Sequence, residues 1–416
     1  LHHLADCRCV RRFLEVVFSA RCRRRLARLD QTTAERAQLR TLLGLVHEAR
    51  ATPFGRDHDF ARIRSAADFR RLVPLRSPAE LWRTYGAARA AWPGPPPFRA
   101  TPHPVLGEHL RPVGLSRGLL QAQRHALFMA LAFVLHARPN ARLLAGPLFW
   151  LGDDTLLSTP AGEAASSAAL AGERFPRLLR PGVRAGLTWD CPEREDVDAV
   201  VPLLARRLER ESPTCLVGPA ERIASLLEQC EARPGGRLWP ALAAVLYTRR
   251  DRSFDVRRLS GRLAPSVVLL EVVSRPEGPV AVEDPRCGAL RLLAESGLYY
   301  ELVRPGRAGA LHPDRLGFAD ARLGEPYELA VTSPAGVWAC RTGMRVCLDA
   351  LSPPLLRVLP APAPAPAAVP AAGPVVRCDA GRALPGPVSH RQTAGSPAGL
   401  PERSAHSPST ALADRG

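Results

Sequence analysis

From Leu269 to Asp349 the sequence reads as short β elements joined by turns, and this cadence constrains the fold more than any other stretch. Val267 to Val273 is an apolar, β-branched run that stops at Ser274-Arg275-Pro276-Glu277-Gly278, a Pro/Gly turn. Gly288 to Val303 alternates as two short strands around Glu295-Ser296-Gly297. A further pair follows: Tyr327 to Thr332, the turn Ser333-Pro334-Ala335-Gly336, and Val337 to Leu348.

Upstream, the periodicity changes. Residues 10 to 50 are predicted helical, with a long amphipathic segment from Ala34 to Ala49 that proline and glycine stop at Thr52-Pro53-Phe54-Gly55. A helix pair is predicted over Ser116 to Ala137 and a strand at Arg142 to Leu144. The apolar run Ala126 to Leu135 is too short to span a bilayer and reads as a core helix. Asp196 to Arg210 is an amphipathic helix, Cys215 to Pro219 a buried strand and turn, Ala220 to Glu231 a helix and Ala243 to Tyr247 a strand. Strand–helix–strand order of this kind predicts an α/β fold with a parallel sheet. From Pro360 onward, Ala-Pro alternation and then Gly, Ser, Pro and Arg dominate, a composition that cannot bury enough apolar surface to offset its chain entropy. Three parts are expected: N-terminal helices at 1–50, an α/β domain at 51–358 and a disordered tail at 359–416.

Lysine is absent, so all 57 of the Lys+Arg residues are arginine, a bias most simply explained by a GC-rich, bacterial-type genome. The net charge of +17 raises nucleic acid or an acidic membrane as a partner. The arginines are spread along the chain, no nucleic-acid motif accompanies them, and neither partner is expected. The densest cluster, Arg21, Arg23, Arg24, Arg25 and Arg28, reads as the solvated side of a helix whose other face carries Phe13, Leu14, Val17, Leu26 and Leu29. The ten cysteines include no Cys-x-x-Cys pair, and Cys7, Cys9 and Cys22 near His2 and His3 fit no zinc spacing. Reduced thiols in a cytoplasmic protein are expected. Asp153-Asp154 reads equally as a metal pair or a turn, and no nucleophile elbow, Walker loop or Rossmann glycine set occurs.

Two blocks carry a family resemblance. The first is Thr52-Pro53-Phe54-Gly55 with His58 and Phe60, followed by Phe69 and Val73-Pro74-Leu75. The second is Glu277-Gly278, then Gly297-Leu298-Tyr299-Tyr300-Glu301, then Tyr327-Glu328-Leu329 with Thr332, then Gly336-Val337-Trp338 with Arg341 and Gly343. Their order and spacing resemble the auxin-responsive-promoter family, the acyl-acid amido synthetases that activate a carboxylate as its acyl-adenylate. Trp239-Pro240-Ala241-Leu242 matches the family as well, and the resemblance covers roughly residues 35 to 358. It implies the large N-terminal domain of the adenylate-forming fold, helices packed on mixed and parallel sheets. The family's smaller C-terminal domain has no trace here. ATP and magnesium are the implied cofactors, with a small carboxylic acid and an amino acid as substrates. His58 reads as a turn residue.

Adenylation needs a phosphate-cradling loop, a carboxylate on the ribose hydroxyls and a group that aligns the acyl carboxylate with magnesium. The phosphate loop falls on Arg99 to Gly107, where Thr101 survives while Pro102 and Pro104 remove backbone donors. Two or three lost charge-assisted hydrogen bonds cost roughly 3–9 kcal/mol, about two to six decades of affinity. Arg111 fills the family's lysine position. Glu277, implicated by the resemblance in magnesium binding, and Gly278 remain, but Arg275-Pro276 replaces an Ala-Ser pair. Arg341 and Gly343 are kept, while Met344 stands where the family's ribose-binding aspartate would be, and methionine accepts no comparable hydrogen bond. The sequence therefore predicts a relative of an ATP-dependent acid–amino acid ligase with weak or absent catalysis. The alternatives are a non-catalytic acyl-ligand-binding or interaction protein, and a basic nucleic-acid binder.

Overall fold

A computed structural model describes residues 8–85, 98–102, 113–151, 155–158, 183–185, 197–231, 239–249, 252–304 and 314–360. These lie in one unit, Leu1–Ala361. The N-terminal helices are α1 (Arg8–Leu29) and α2 (Ala34–Ala49), followed by one- and two-turn helices at Pro53–Asp57, Ala66–Leu72 and Pro78–Tyr85. Next come the strands β1 (Phe98–Pro102) and β2 (Val113–Leu115), then the 21-residue helix α3 (Arg117–Ala137). Short strands β3 (Leu148–Trp150), β4 (Thr155–Ser158) and β5 (Val183–Ala185) precede α4 (Val197–Glu211), β6 (Cys215–Pro219), α5 (Ala220–Glu231) and β7 (Ala244–Thr248). After a helical turn at Arg257–Ser260, the rest of the chain is strands. They are β8 (Val268–Arg275), β9 (Gly278–Asp284), β10 (Ala289–Leu292), β11 (Tyr299–Val303), β12 (Arg315–Leu316), β13 (Pro326–Ser333), β14 (Val337–Leu351) and β15 (Pro354–Leu359).

Twelve strands join in the order β12-β11-β13-β14-β15-β10-β9-β8-β7-β6-β3-β5, and β2-β1-β4 form a separate antiparallel sheet. Strand β8 is the hinge of this topology. Its first half pairs in parallel with β7, Val268 opposite Ala244, and its second half pairs antiparallel with β9, Arg275 opposite Gly278. The parallel half is buried on both faces, as βαβ crossovers require. Leu148, Cys215, Ala244 and Leu246 face α1 and α3, while Phe149, Leu216, Val245 and Tyr247 face α4 and α5. The alternation is the period of two that a strand imposes.

Helix α2 packs Leu42, Leu45, Val46 and Ala49 into the core that holds Tyr299 and Trp338, and Gln38 adds hydrogen bonds to the antiparallel half. Gln38, 4 % exposed, donates to the carbonyls of Ala294 (2.8 Å) and Leu298 (2.9 Å) and accepts from the Tyr300 N–H (2.8 Å). The connection between β10 and β11 thereby has its backbone groups satisfied although these two strands pair elsewhere, β10 with β9 and β15, β11 with β12 and β13.

The element readings hold with three corrections. The helix pair over Ser116 to Ala137 is one continuous helix, capped by Ser116 Oγ, which accepts from the Leu119 N–H (3.1 Å). It is long and apolar enough by length and composition to cross a bilayer, so the shortness argument fails, yet 67 % of its most apolar window is buried in the core. The strand expected at Arg142 to Leu144 is a turn, and the strand begins at Leu148. Thr214 Oγ1 reaches the carbonyls of Leu143 (2.8 Å) and Gly146 (3.1 Å), tying that segment into a bend. In α1 the buried stripe is Phe18 and Cys22 with Leu26 and Leu29, whereas Phe13 and Val17, expected on the face opposite the solvated arginines, are exposed. The tail from residue 361 lies outside the described residues.

Candidate functional site

The β8–β9 hairpin turn is Pro276-Glu277, and it folds inward. Glu277 is 5 % exposed, its Oε2 has no hydrogen-bond partner among the described residues, and burial pushes its carboxyl above the usual carboxylate range against the pull of Arg275. Gly278 takes φ +143°, and a Cβ there would sit 2.6 Å from Leu298 Cδ2 and 3.1 Å from Leu119 Cδ1. Only glycine lets this turn lie against the first turn of α3. The same corner is fixed from the other side by Ser116, whose hydroxyl donates to the Pro334 carbonyl in the β13–β14 turn.

Across from the turn runs β14. The Arg275 guanidinium crosses to it and donates to the Thr342 carbonyl (2.7 Å), while its Nε is buried without a partner. Thr342 Oγ1 donates to the Leu329 carbonyl (2.6 Å) and accepts from the Met344 N–H (3.1 Å). Cys340 is buried near Glu277, and burial, then the charges of Glu277, Glu328 and Glu80, hold its thiol well above its ordinary value. A thiol in that state is inert.

Arg341 and Gly343 converge on one acid. Arg341 Nε lies 3.2 and 3.1 Å from the two carboxylate oxygens of Glu328, Nη2 adds a further bond, and the Gly343 N–H donates to Glu328 Oε1 (3.3 Å). The hydrogen bond to Glu328 raises the guanidinium pKa, against desolvation. Met344 is 8 % exposed and packs into the core of the antiparallel half. Glu277, Gly278, Arg341 and Gly343 thus lie on facing segments of one corner. Thr101 sits in β1 with its side chain outside what is described, and Arg111 and Asp153-Asp154 lie outside the described residues.

His58 is a turn residue, as read from the sequence. Its ring stacks on Phe54 at 4.1 Å, Nδ1 lies 2.8 Å from the Phe54 carbonyl, and burial lowers its pKa. Nε2 faces Arg76 Nη2 at 3.2 Å, an arrangement that the neutral ring with Nδ1–H satisfies. Arg76 in turn joins its segment to β14, receiving the Arg341 N–H on its carbonyl (2.8 Å) and donating to the Ala339 carbonyl (3.1 Å).

Three groups escaped the sequence reading. Arg275 was seen only as a replaced alanine, although a long cation beside Glu277 was the available signal. Glu328 was read as a motif letter, although an acid one strand away from Arg341 is a natural partner. Glu301 is 1 % exposed and is held by Arg70 (3.2 Å) and Arg315 (3.5 Å). Arg315 also donates to the carbonyl of Val73 (2.8 Å), so the cluster fastens the Val73-Pro74-Leu75 segment to β11. At the carboxyl end of β7, where open α/β sheets place ligands, Glu271 is clamped by Arg249 and Arg252, and its N–H donates to Glu283 (2.9 Å). Among the described residues no cluster of three or more His, Cys, Asp or Glu is arranged to hold a metal ion.

Residues 25–81 match the model of the GH3 family N-terminal domain. Sequence comparison with curated proteins gives no match. Among solved structures, the acyl acid amido synthetase AtGH3.15 in complex with 2,4-DB superposes with a TM-score of 0.60 at 14 % identity, over 82 % of this chain and 70 % of that one. An open conformation of 2-hydroxyisobutyryl-CoA ligase with 2-HIB-AMP and CoA gives 0.54 at 13 %, over 80 % and 75 %. The fold is that of the adenylate-forming ligases, and the likeness to the GH3 family model lies in residues 25–81.

Proposed function

We propose that this chain is a GH3-type relative of the acyl acid amido synthetases in which ATP-dependent activation of a carboxylate is weak or absent. The observation that carries the reading is that the corner bearing Glu277, Arg341 and Gly343 closes on itself. Arg341 and Gly343, the two retained letters of the ribose-binding segment, are both engaged by Glu328, and Met344 beside them offers no oxygen. Glu277 has a carboxylate oxygen with no hydrogen-bond partner among the described residues, but it is buried and feels the Arg275 cation. A magnesium ion needs a charged, oxygen-rich shell, and the described residues do not fit magnesium-bound ATP. No catalytic step is therefore assigned to them.

The fold and family argue for ancestry in the ligase reaction, with a small carboxylic acid and an amino acid as the substrates it once took. Retention of an acyl pocket by a non-catalytic descendant fits the same observations. Acid-dependent release of pyrophosphate from ATP tests the proposal. Across a panel of aryl and short-chain acids, the full chain is expected to release no more than the acid-free control. A turnover that saturates with one acid would overturn it.

A further inference from the structure

The exposed face of α1 is built unlike the rest of the surface. Five large apolar side chains are strongly exposed among the described residues, and three of them fall together here: Phe13 (67 %), Val16 (61 %) and Val17 (42 %). At 3.6 residues per turn, Phe13, Val16, Val17 and Ala20 share one face. Arginines continue its two borders. Arg12 and Arg23 stand four before and seven after Val16, and Arg21, Arg24 and Arg28 stand four, seven and eleven after Val17; all five are exposed. The inward Arg25 is paired with Glu295, but Arg12, Arg23, Arg24 and Arg28 meet no acid among the described residues. Arg21 lies over the Phe128 ring, 5.8 Å from its centroid.

The opposite face is anchored. Phe18 and Cys22 are buried, and Phe18 meets Phe128 of α3 edge-on at 5.9 Å. The helix is thus clamped to the protein along one side and offers, on the other, an apolar strip edged by cations along a rod of about 33 Å. That is the form of a helix lying in a membrane interface, with apolar side chains below the headgroups and arginines at phosphate level. Valine and phenylalanine gain nothing from a phosphodiester backbone, whereas both gain by leaving water for the acyl boundary.

We infer that α1 is a peripheral docking surface for an anionic lipid bilayer. Sedimentation of the full chain with vesicles tests this, using phosphatidylcholine alone and with about 30 mol% phosphatidylserine. The anionic vesicles are expected to bind at least about tenfold more tightly. Phe13→Ser with Val17→Ser, which leaves the charge unchanged, is expected to weaken that binding by about tenfold. Arg24→Gln with Arg28→Gln should weaken it by about tenfold or more and flatten its salt dependence. All four positions are exposed, and the single change Val16→Ser is a second probe if either pair perturbs folding. Failure to bind anionic vesicles would overturn the inference. So would binding that ignores the serine changes, or tighter binding of duplex DNA through the same arginines.

Discussion

Glu277 and Gly278 occupy a turn that costs the fold something on both counts. The carboxyl has an oxygen without a partner, and its pKa is raised from 4.5 by burial. The sign follows from linkage. An acid whose pKa is higher folded than unfolded contributes stability that is complete below about 4.5 and is lost as pH rises through the folded value. Glu277→Gln removes the charge and the loss together. Urea denaturation should find the variant more stable than the parent at pH 8, with the gap closing towards pH 4.5. A variant equally or less stable at pH 8 would show that the carboxylate has a favourable partner. At the neighbouring residue, Gly278→Ala adds both a strained φ and a clash with Leu298. Its cost should be about 2–5 kcal/mol, read as a fall in the denaturation midpoint; a loss below half a kcal/mol would mean that the turn moves freely.

At the scale of elements, Gln38 supplies the hydrogen bonds by which α2 holds the β10–β11 connection. Gln38→Leu keeps the bulk but strands two carbonyls and one N–H, at an expected cost of about 2–4 kcal/mol. Hydrogen exchange should show the Tyr300 amide losing protection in the variant, and unchanged protection would refute the role given to Gln38. Elements were legible in the sequence where local pattern and tertiary environment agree. Cys215–Pro219 and Ala220–Glu231 fall at their expected bounds because a wholly buried strand and an amphipathic helix announce themselves. Helix α1 shows the opposite case. It carries two apolar stripes, Phe13-Val16-Val17 and Phe18-Cys22-Leu26-Leu29, and sequence alone cannot say which one α3 covers. The segment Arg142 to Leu144 failed for a similar reason: Leu143 is buried, but in a bend that Thr214 holds from seventy-one residues away. The candidate residues were legible as motif letters, and their contacts were not. Motif spacing placed Glu277, Gly278, Arg341 and Gly343, whereas the cross-strand partners Arg275–Thr342 and Arg341–Glu328 depend on β8, β13 and β14 meeting in space.

Over the whole molecule, one strand organises the rest. Because β8 changes partner halfway along, the turn that ends it emerges where the parallel and antiparallel halves meet, facing β14 and the start of α3. At that corner Arg275 is directed at the Thr342 carbonyl, and Arg341 and Gly343 are directed at Glu328. The proposed loss of the nucleotide site is open to calorimetric titration of the full chain with magnesium-bound ATP up to a few millimolar, at moderate salt. No saturable heat is expected. A saturable isotherm with Kd below about 1 mM, worth about 4 kcal/mol, and lost in Arg341→Ala, would contradict it.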